Sequence, residues 1–575
     1  MKKSLFLLFC FLTFVAQAQT FPVGNLNVTG NLQFNGNSGT SGQIPLSTGS
    51  TSPVWGVVSA SSLAPIAAET LLANPTGASA APQATTATSF FDNAYCSTVG
   101  YLIVRFLGSW TCSRAVAANP VWWGADPTGA STSTAAFNSA VSAALYVKFP
   151  PGTFLFATAP AAVTAFGEHI EGSGEGATTL VLGYTTGNFL HLTGGDIEVD
   201  GFTVGPNSDM TSGAIIEADA SQNYVHDIYS VNGYNGYWFT SNCTNCFGNR
   251  LTTGNMTPHA TAVGGASFLV GTAGATPPNQ ILLSNIVGGC TGADYGLNAL
   301  SSDALQITNF ELEGCAIAAM NLSPGSGSSV LHTQLANGFL DQSTTGLQIS
   351  PTGTGNAQQI WAINLWVGDL QTASTAAITL GNSGTGSSSD FRCTSCEIIG
   401  TSTVGLAITS TAWKNVSVVN SCIAGNTSFG VVGIVAVNVV TLEGNIFGNC
   451  DGFGTNGTDL SISAASNNWA VQGNTFNSGT KIAGYTSLTG GGNIFTGNTS
   501  FNPVGGVTAP AIAASGSPVT NHFPFAVTVY ISGTLTSVAV NGTGIYAGIG
   551  VYRVGPGQTI TLGYVSAPSW IWTGD

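Results

Sequence analysis

The sequence has 575 residues, of which only 6% are charged, with 10 Lys and Arg against 25 Asp and Glu. This acidic balance argues against nucleic acid as a partner, because phosphate contacts need a basic surface. The 76 glycines, abundant Ser, Thr and Asn, and scarce Lys and Glu predict an all-β protein rich in turns. A surface of hydroxyls and amides suits neutral sugars, or a rigid particle outside a cell.

The chain begins with a segment typical of an export signal. Lys2 and Lys3 precede an apolar run over 4–15, and Ala16-Gln17-Ala18 fits a cleavage site. We therefore expect residues 1–18 to be a signal peptide cleaved after Ala18, and the mature protein to be extracellular or part of a virion tail. The run is short for a membrane anchor, and no later stretch is long and apolar enough to predict a membrane span.

Residues 19–120 differ from the rest of the chain. Four phrases alternate apolar and polar residues or break at Gly and Pro: Asn25–Gly36, Gly42–Trp55, Leu72–Gln83 and Cys96–Trp110. In this order they resemble the N-terminal stalk segments of bacteriophage tail-fibre and tailspike proteins. The alternative is a generic linker rich in Gly, Ser, Thr and Ala. Cys96 and Cys112 flank a predicted hairpin, and we expect them to form a disulfide bond.

A short helix is predicted soon after residue 121. Phe137, Val141 and Leu145 recur every fourth residue, which makes one apolar stripe along a helix. Ser133 or Thr134 can cap its first turn.

Two strands joined by a Pro-Pro-Gly turn follow this helix. Their alternating apolar residues are Val147, Phe149, Phe154 and Phe156. The order of loop, helix, strand, turn and strand resembles the N-terminal cassette of the pectate-lyase-like right-handed parallel β-helix superfamily. The resemblance implies that the helix plugs the open end of a solenoid. Many members carry two acidic residues before the helix, where this chain has Ser131-Thr132-Ser133, and that weakens any ion-binding role there.

The chain repeats between about 165 and 505. Asn-containing phrases recur at intervals of roughly 23 to 32 residues, if one unmarked coil is allowed between some pairs, and this period is typical of a solenoid. The phrases are Ser284–Ile286, Thr308–Phe310, Ile363–Leu365, Asn420–Ile423, Glu443–Ile446, Gln472–Thr475 and Thr496–Thr499. Short alternating strands broken by Asn-Gly predict β coils, so we expect a parallel β-helix of roughly ten to twelve coils over 121–505. Asn residues at one corner of successive coils can form a hydrogen-bonded ladder.

The last 60 or so residues, 515–575, change character again. Alternating strands separated by Asn541-Gly542 and Pro556-Gly557 turns predict a small antiparallel β-sandwich. Its Pro568-Ser-Trp-x-Trp572 ending resembles the C-terminal module of many phage tail proteins. Such a module could drive trimerisation or cover the unpaired strand edges at the solenoid end.

The mature chain has ten cysteines, an even number that permits disulfides in an exported protein. Two pairs have Cys-x-x-Cys spacing, Cys243 with Cys246 and Cys393 with Cys396. With no His spaced to complete a zinc site, we predict local disulfides or plain packing and no metal. Cys290, Cys315, Cys422 and Cys450 occupy similar places in successive repeats, and we predict small buried apolar residues there.

The acidic residues are the candidates for chemistry, because the chain carries no metalloprotease, P-loop, nucleophile-elbow or dinucleotide motif. Cleavage of a polysaccharide uses paired carboxylates, or a base beside a neutralising group. Asp196, Glu198 and Asp200 alternate on one predicted strand, so they would face outward as a stripe that binds Ca²⁺ or substrate, or is simply solvated. Glu311 and Glu313 form a similar pair.

A second acidic pair lies beside a cluster of aromatic residues. Glu217 and Asp219 precede His226-Asp227, and Tyr224, Tyr229, Tyr234, Tyr237 and Trp238 crowd the same window. Rings beside carboxylates suit pyranose sugars, although several of these rings could equally stack inside the solenoid. We predict Asp227, Glu311 and Glu313 as catalytic residues. We predict Glu217, Asp219, Tyr234, Tyr237 and Trp238 as substrate-binding residues.

The solenoid offers few cations for lyase chemistry. Arg250, Arg392, Lys414 and Lys481 are the available ones, and none sits in a recognisable motif. This counts against elimination on acidic pectin and leaves hydrolysis open, with no cofactor required and Ca²⁺ unsupported by a motif.

The leading hypothesis is a tailspike-like protein that binds, and if it is an enzyme cleaves, a cell-surface polysaccharide. By resemblance it would be a homotrimer that contacts phage tail or baseplate proteins. One alternative is a secreted bacterial polysaccharide lyase or glycoside hydrolase acting alone, which the export signal favours. Another is a purely structural virion or surface protein.

Overall fold

The computed structural model describes residues 117–574 except 369, 372–373, 401, 486–487, 502–504 and 546–548, together with six earlier strands. Two compact units divide the chain: Met1–Val99 with Ile103–Cys112, and Gly100–Leu102 with Ser113–Asp575. The earlier strands pair as Gln43–Leu46 with Val54–Val57, Thr70–Ala73 with Gln83–Thr86, and Tyr101–Phe106 with Ser109–Arg114. The signal peptide lies outside the described residues, as do Cys96 and the side chain of Cys112.

The predicted helix forms from Thr134 to Ala143, after a 3-10 turn at Pro120–Trp123. Ser133 is its N-cap residue, but its hydroxyl accepts the Asp126 N–H at 3.2 Å instead of capping the helix. The prediction for Leu145 is wrong. Ala144 is already extended, so Leu145 leaves the helical stripe and is 43% exposed.

The helix closes the end of the solenoid core through one aromatic side chain. Phe137 is fully buried, stacks on Phe149 at 5.6 Å between ring centroids, and meets Phe156 edge-on at 5.7 Å. The predicted strands form at Tyr146–Lys148 and Gly152–Phe156, so Phe149 directly follows the first strand and Phe156 ends the second. Without this contact the rings of the first coil would face solvent.

The body of the chain is a right-handed parallel β-helix of about 14 turns, which exceeds the predicted ten to twelve. A first parallel sheet contains Thr128–Thr132, Tyr146–Lys148, Gly152–Phe156, His169–Glu171, Thr178–Leu182, Glu198–Pro206, Tyr224–Val231, Cys246–Gly254, Ile281–Gly289, Ser302–Asp303, Gln306–Glu313, Ser329–Asp341, Asn356–Gly368, Ser388–Thr394, Glu397–Ile399, Trp413–Val419, Cys422–Ala424, Asn438–Glu443, Ile446–Phe447, Asn467–Gln472, Thr475–Phe476 and Ile494–Thr496. A second contains Leu190–Leu192, Ala214–Ala218, Asn235–Phe239, Ala266–Val270, Tyr295–Ala299, Ala318–Asn321, Thr345–Ile349, Ala376–Leu380, Val404–Ile408, Phe429–Gly433, Thr458–Ile462 and Thr480–Ala483. Their inward side chains form one continuous core.

Two columns of left-handed residues fold the first sheet into three faces. The first column stacks Asp196, Gln222, Asn245, Gln280, Ala304, His332, Gln359, Asp390, Asn415, Val439 and Asn468. The second stacks Gly201, Asp227, Arg250, Asn285, Asn309, Asn337, Asn364, Ser395, Asn420, Gly444, Gly473 and Gly497. Asn, Asp and Gly tolerate this backbone conformation best, which explains their recurrence at the corners. We call the segments between the two columns the middle face, and those after the second column the third face.

The Asn ladder predicted from the repeats exists as two ladders. On the second corner, Asn285, Asn309, Asn337 and Asn364 are exposed and linked by side-chain hydrogen bonds of 3.2–3.3 Å. In the later coils a Gly occupies the corner, and the Asn is the next residue in the sequence. Asn445, Asn474 and Asn498 there form a ladder with side-chain bonds of 3.0 Å, of which Asn445 and Asn474 are fully buried.

Disulfide bonds join the cysteines that were predicted to be plain core residues. Cys290 bonds Cys315 and Cys422 bonds Cys450, at separations of 25 and 28 residues. These separations are close to the length of one coil, so each bond links neighbouring coils, although Cys422 itself lies opposite Ile446. The two Cys-x-x-Cys pairs, Cys243 with Cys246 and Cys393 with Cys396, also form local disulfides.

The C-terminal residues form the predicted antiparallel sandwich. One sheet contains Gly505–Val507, Val527–Ser532, Gly550–Val554 and Ser569–Gly574, and the other Pro518–Thr520, Leu535–Val540, Thr543–Ile545 and Thr559–Tyr564. Tyr485 of the solenoid packs against Phe525 of the sandwich at 5.9 Å. The Phe495 N–H donates to the Pro524 carbonyl at 2.7 Å, so the sandwich pairs with an end strand of the solenoid. Within the described part of the chain, every helix is too short or too polar to span a bilayer.

Candidate functional site

The middle face presents two outward side chains from each coil, stacked in register along the solenoid. In coil order the pairs are Tyr146 and Lys148, His169 and Glu171, Glu198 and Asp200, Tyr224 and His226, Phe247 and Asn249, Leu282 and Ser284, and Gln306 and Thr308. Charged groups occupy the first four rows, and rings, amides and hydroxyls the rows beyond. The parallel register therefore turns residues distant in sequence into one continuous surface.

Two histidines and two carboxylates meet in the charged rows. His169 Nε2 lies 2.6 Å from Asp200 Oδ2, and His226 Nε2 lies 2.9 Å from Glu198 Oε1. The cross-contacts are 3.8 Å each, His169 Nδ1 to Glu198 Oε2 and His226 Nε2 to Asp200 Oδ2. We call these four residues the His–carboxylate cluster.

The rim of this cluster is held by Asp227 and Arg250. His226 Nδ1 lies 2.6 Å from Asp227 Oδ2, and the Arg250 guanidinium donates to both oxygens of that carboxylate. These Arg250 hydrogen bonds hold the pKa of Asp227 below its usual value. Burial opposes the charged form of His226, but its hydrogen bonds to Asp227 and Glu198 outweigh burial and raise its pKa.

Glu171 lies within the charged rows, opposite Lys148 on one side and Asp200 on the other. It accepts hydrogen bonds from the Tyr146 hydroxyl and from Lys148 Nζ, the latter at 2.7 Å. Burial and the neighbouring carboxylates of Asp200 and Glu198 nevertheless raise the pKa of Glu171. Carboxyl groups with pKa values shifted in opposite directions, such as Glu171 and Asp227, are typical of functional sites.

Two clefts open onto the middle face. One of about 820 Å³ lies over the charged rows and is lined by Lys148, Glu171, Asp200, Asp227 and Arg250 among others. The other, of about 760 Å³, lies over the next rows and is lined by Tyr224, Phe247, Asn249, Leu282 and Gln306 among others. Both volumes are in the range of ligand sites.

The structure separates the three residues predicted as catalytic. Asp227 lies on the second corner beside the His–carboxylate cluster. Glu311 and Glu313 do face outward, but they lie on the third face, where Glu313 stacks on Asp341 of the next coil. Asp196 does not share a strand face with Glu198, because it occupies the first corner with a positive φ.

Glu217 and Asp219 come together on the second sheet, apart from the middle face. His191 Nε2 lies 3.4 Å from Glu217 and 3.3 Å from Asp219. Burial raises the pKa of Glu217, with His191 opposing. Burial also acts to raise the pKa of Asp219, but hydrogen bonds from Thr240 and Asn242 outweigh it and hold that pKa low.

The aromatic residues predicted to bind substrate have other environments. Tyr237 is 1% exposed and donates to the Ile228 carbonyl inside the core, which is incompatible with direct contact with a sugar. Trp238 is half-buried, and its Nε1–H donates to the Gly271 carbonyl at 2.9 Å. Tyr234 donates to the Val263 carbonyl at 2.7 Å.

Several residues of the middle face escaped sequence reasoning: Lys148, His169, Glu171, Phe247 and Asn249. One sequence signal could have found them. Two outward-facing groups separated by one residue recur at roughly one coil's spacing, as His169-x-Glu171, Glu198-x-Asp200 and Tyr224-x-His226.

No protein-family model and no curated protein matches the sequence. Among solved structures, the chain is similar to tailspike protein 3 of bacteriophage CBA120, with 12% identity and a TM-score of 0.46, over 79% of this chain and 70% of that chain. It is also similar to the A-module of mannuronan C-5 epimerase AlgE6 from Azotobacter vinelandii, with 12% identity and a TM-score of 0.46, over 67% and 100%. A third is PfbA, a surface adhesin of Streptococcus pneumoniae, with 12% identity and a TM-score of 0.35, over 68% and 92%. Each likeness is at low identity, and the parallel pairing of this chain's own strands defines its fold.

Proposed function

We propose that the protein is an extracellular, tailspike-like protein that binds a polysaccharide chain lengthwise along the middle face. The observation that carries the proposal is the presence of two ligand-sized clefts on one row-by-row surface of rings, amides, hydroxyls and carboxylates. From the Tyr146 row to the Gln306 row, six steps of strand spacing cover about 29 Å. That length accommodates an oligosaccharide segment rather than a single sugar.

The chemistry of the rows favours a sugar over the other ligand classes. Phe247 is 40% exposed beside half-buried Tyr224, which offers ring surface for the apolar face of a pyranose. Asn249, Ser284 and Gln306 supply donors and acceptors for the hydroxyl rim. The chain's net charge of −15 disfavours polyanionic ligands at long range, so we propose a neutral or weakly charged glycan.

Binding to a panel of capsule, O-antigen and plant polysaccharides tests the proposal. For a polysaccharide that binds, Phe247→Ala should weaken affinity about tenfold or more, since covering a Phe ring contributes about 1.5–3 kcal/mol. The matched control is Phe339→Ala, which removes a ring that is 52% exposed on the third face. Equal losses in the two variants, or no binding across the panel, would contradict lengthwise binding at the middle face.

Cleavage of the bound chain is a second candidate function. The 820 Å³ cleft is lined by four carboxylates, Glu171, Glu175, Asp200 and Asp227, and the pKa values of Glu171 and Asp227 are shifted in opposite directions. Hydrolysis of a glycosidic bond uses such a pair, one carboxyl to protonate the leaving oxygen and one to activate water or attack. New reducing ends that disappear in Asp227→Asn and persist in Glu311→Gln would support hydrolysis at this cleft. Reducing ends that persist in Asp227→Asn would place cleavage elsewhere.

We also propose that the protein is a homotrimer in a phage tail or baseplate context. Tyr530, Val551 and Ile571 are exposed and adjoin each other across three strands of one sandwich sheet, which supports self-association there. Tyr530→Asp should shift the mature protein toward monomer in light scattering. Thr536→Asp, exposed on the other sheet, is the control and should leave the mass unchanged. A wild-type monomer would contradict the trimer.

A further inference from the structure

We infer that His169, Glu198, Asp200 and His226, the His–carboxylate cluster, form a binding site for a divalent transition-metal ion such as Zn²⁺. The inference concerns the ligand of these four side chains and stands independently of polysaccharide binding.

Ligand-atom spacing is the first argument. Zinc bound tetrahedrally at about 2.0–2.2 Å keeps its ligand atoms about 3.4 Å apart. In the cluster the nitrogen-to-oxygen distances are 2.6, 2.9, 3.8 and 3.8 Å. The ligand atoms of His169, Glu198 and Asp200 all lie within 4.8 Å of one another. These three ligand atoms are therefore close enough to surround one ion, and His226, whose Nε2 reaches both carboxylates from the next coil, would complete the set.

The backbone holds these groups in place without a metal. His169, Glu198 with Asp200, and His226 come from three consecutive coils in parallel register, His169 opposite Glu198 and Asp200 opposite His226. The strand ladder fixes their Cα positions, so the ligands converge before any ion binds. A preformed site loses less conformational entropy on binding than one assembled from loops.

Ligand chemistry selects the class of ion. Imidazole nitrogen with carboxylate oxygen suits zinc and its first-row neighbours, whereas calcium takes six to eight oxygen ligands. The cluster is thus distinct from the trio of Glu311, Glu313 and Asp341 on the third face, which offers oxygen alone.

The surroundings of His226 match those of a metal-bound histidine. Metal-ligating histidines commonly donate their second ring N–H to a carboxylate, which fixes the ring orientation. His226 Nδ1 lies 2.6 Å from Asp227, and Arg250 fixes that carboxylate in turn. This arrangement leaves Nε2 directed at Glu198 and Asp200.

Charge balance points the same way. Lys148 pairs with Glu171 and Arg250 pairs with Asp227. Among the described residues, the ion pairs of Glu198 and Asp200 are with histidines. A divalent cation with two neutral imidazoles would neutralise these two carboxylates. The 820 Å³ cleft lined by Asp200 gives an ion and a further water or ligand access to the cluster.

Calorimetric titration of Zn²⁺ into the mature protein, dialysed against chelator and then buffer, tests the site. We expect one zinc per chain, with His169→Ala and His226→Ala each weakening binding by at least 100-fold. Asp227→Asn should weaken it by about 10- to 100-fold, as loss of a carboxylate behind a histidine ligand does. The matched control is His191→Ala, which removes a histidine that also faces two carboxylates, on the second sheet, and should leave zinc binding unchanged.

A spectroscopic measurement keeps the test independent of folding defects. Co²⁺ bound to the wild type should give visible ligand-field absorption that is lost in the near-isosteric variants Glu198→Gln and Asp200→Asn, whose circular dichroism should match the wild type. Absence of stoichiometric zinc, equal affinity in His226→Ala and wild type, or tighter binding of Ca²⁺ than of Zn²⁺ would each overturn the inference. In those cases the cluster would be a hydrogen-bonded network of histidine and carboxylate side chains.

Discussion

The buried Asn ladder should stabilise the later coils far more than the exposed one, and Asn474 tests this. Asn474 is fully buried, and its side chain makes four hydrogen bonds of 2.9–3.0 Å. Its Oδ1 accepts from the N–H and Nδ2 of Asn445, and its Nδ2 donates to the Leu442 carbonyl and to Asn498. Each rung therefore connects three consecutive coils.

Asn474→Ala removes all four bonds without changing the strand pairing. The Asn445 backbone N–H loses its acceptor while it remains buried, which costs about 1–3 kcal/mol. Asn445 Nδ2 and Asn498 Oδ1 keep one partner each, at the Val418 carbonyl and the Asn474 N–H, so the other losses are about 1 kcal/mol or less apiece. With three such losses, at Asn445 Nδ2, the Leu442 carbonyl and Asn498 Oδ1, the expected total is about 2–6 kcal/mol.

The matched control lies on the exposed ladder. Asn309 makes two side-chain bonds of 3.3 Å at the surface and has a φ of 53°. Asn309→Gly removes both bonds and suits the left-handed backbone, so we expect a cost of less than about 1 kcal/mol. Urea unfolding followed by tryptophan fluorescence gives both values, with Trp469 buried in the coil that contains Asn474. Hydrogen exchange over 438–476 gives a local check. Equal costs in the two variants would refute the reasoning.

Three further predictions concern stability. Phe137→Ala should destabilise the N-terminal end by about 3–5 kcal/mol in the same urea assay, because it opens a cavity under the capping helix, whereas Leu145→Ala should cost little. Replacing Cys290 and Cys315 together by Ala should cost about 3.5 kcal/mol, the chain-entropy value for a loop of 25 residues, and an unchanged unfolding midpoint would contradict it. Hydrogen bonds from the hydroxyl and N–H of Thr128 lower the pKa of Asp126, so the folded state favours its charged form. Asp126→Ala should therefore have a lower melting temperature than the wild type at neutral pH. This difference in melting temperature should close as the pH falls below the ordinary pKa of Asp and through the lowered pKa of Asp126; a difference independent of pH would contradict this.

The sequence predicted the fold because the fold depends on local patterns. Alternation placed Val147, Phe149, Phe154 and Phe156 in the core, and all four are fully buried. The predicted apolar helix stripe was wrong only at Leu145, because the helix ends at Ala143 and the backbone is extended from Ala144. Periodicity revealed the Asn positions. It did not distinguish the exposed corner positions, such as Asn309, from the buried positions one residue after the corner, such as Asn474.

The site was less predictable because it depends on register between coils. Asp227 was identified through its neighbours, but its proximity to Glu198 and Asp200 follows from pairing across coils that differ in length. Tyr237 failed because an alternating strand on the second sheet directs it inward, where its hydroxyl finds a carbonyl. The disulfide between Cys290 and Cys315 was within reach, since a separation of 25 residues is one coil.

The central claim, that a polysaccharide lies along the middle face, is tested most directly by a crystal structure of the protein with an oligosaccharide from whichever polysaccharide binds. We predict consecutive sugar rings in register with the coils, with at least one ring against Phe247 and Tyr224 and hydroxyls within hydrogen-bond distance of Asn249 and Gln306. A saccharide bound instead on the third face or along the second sheet, with the middle face unchanged, would contradict the account.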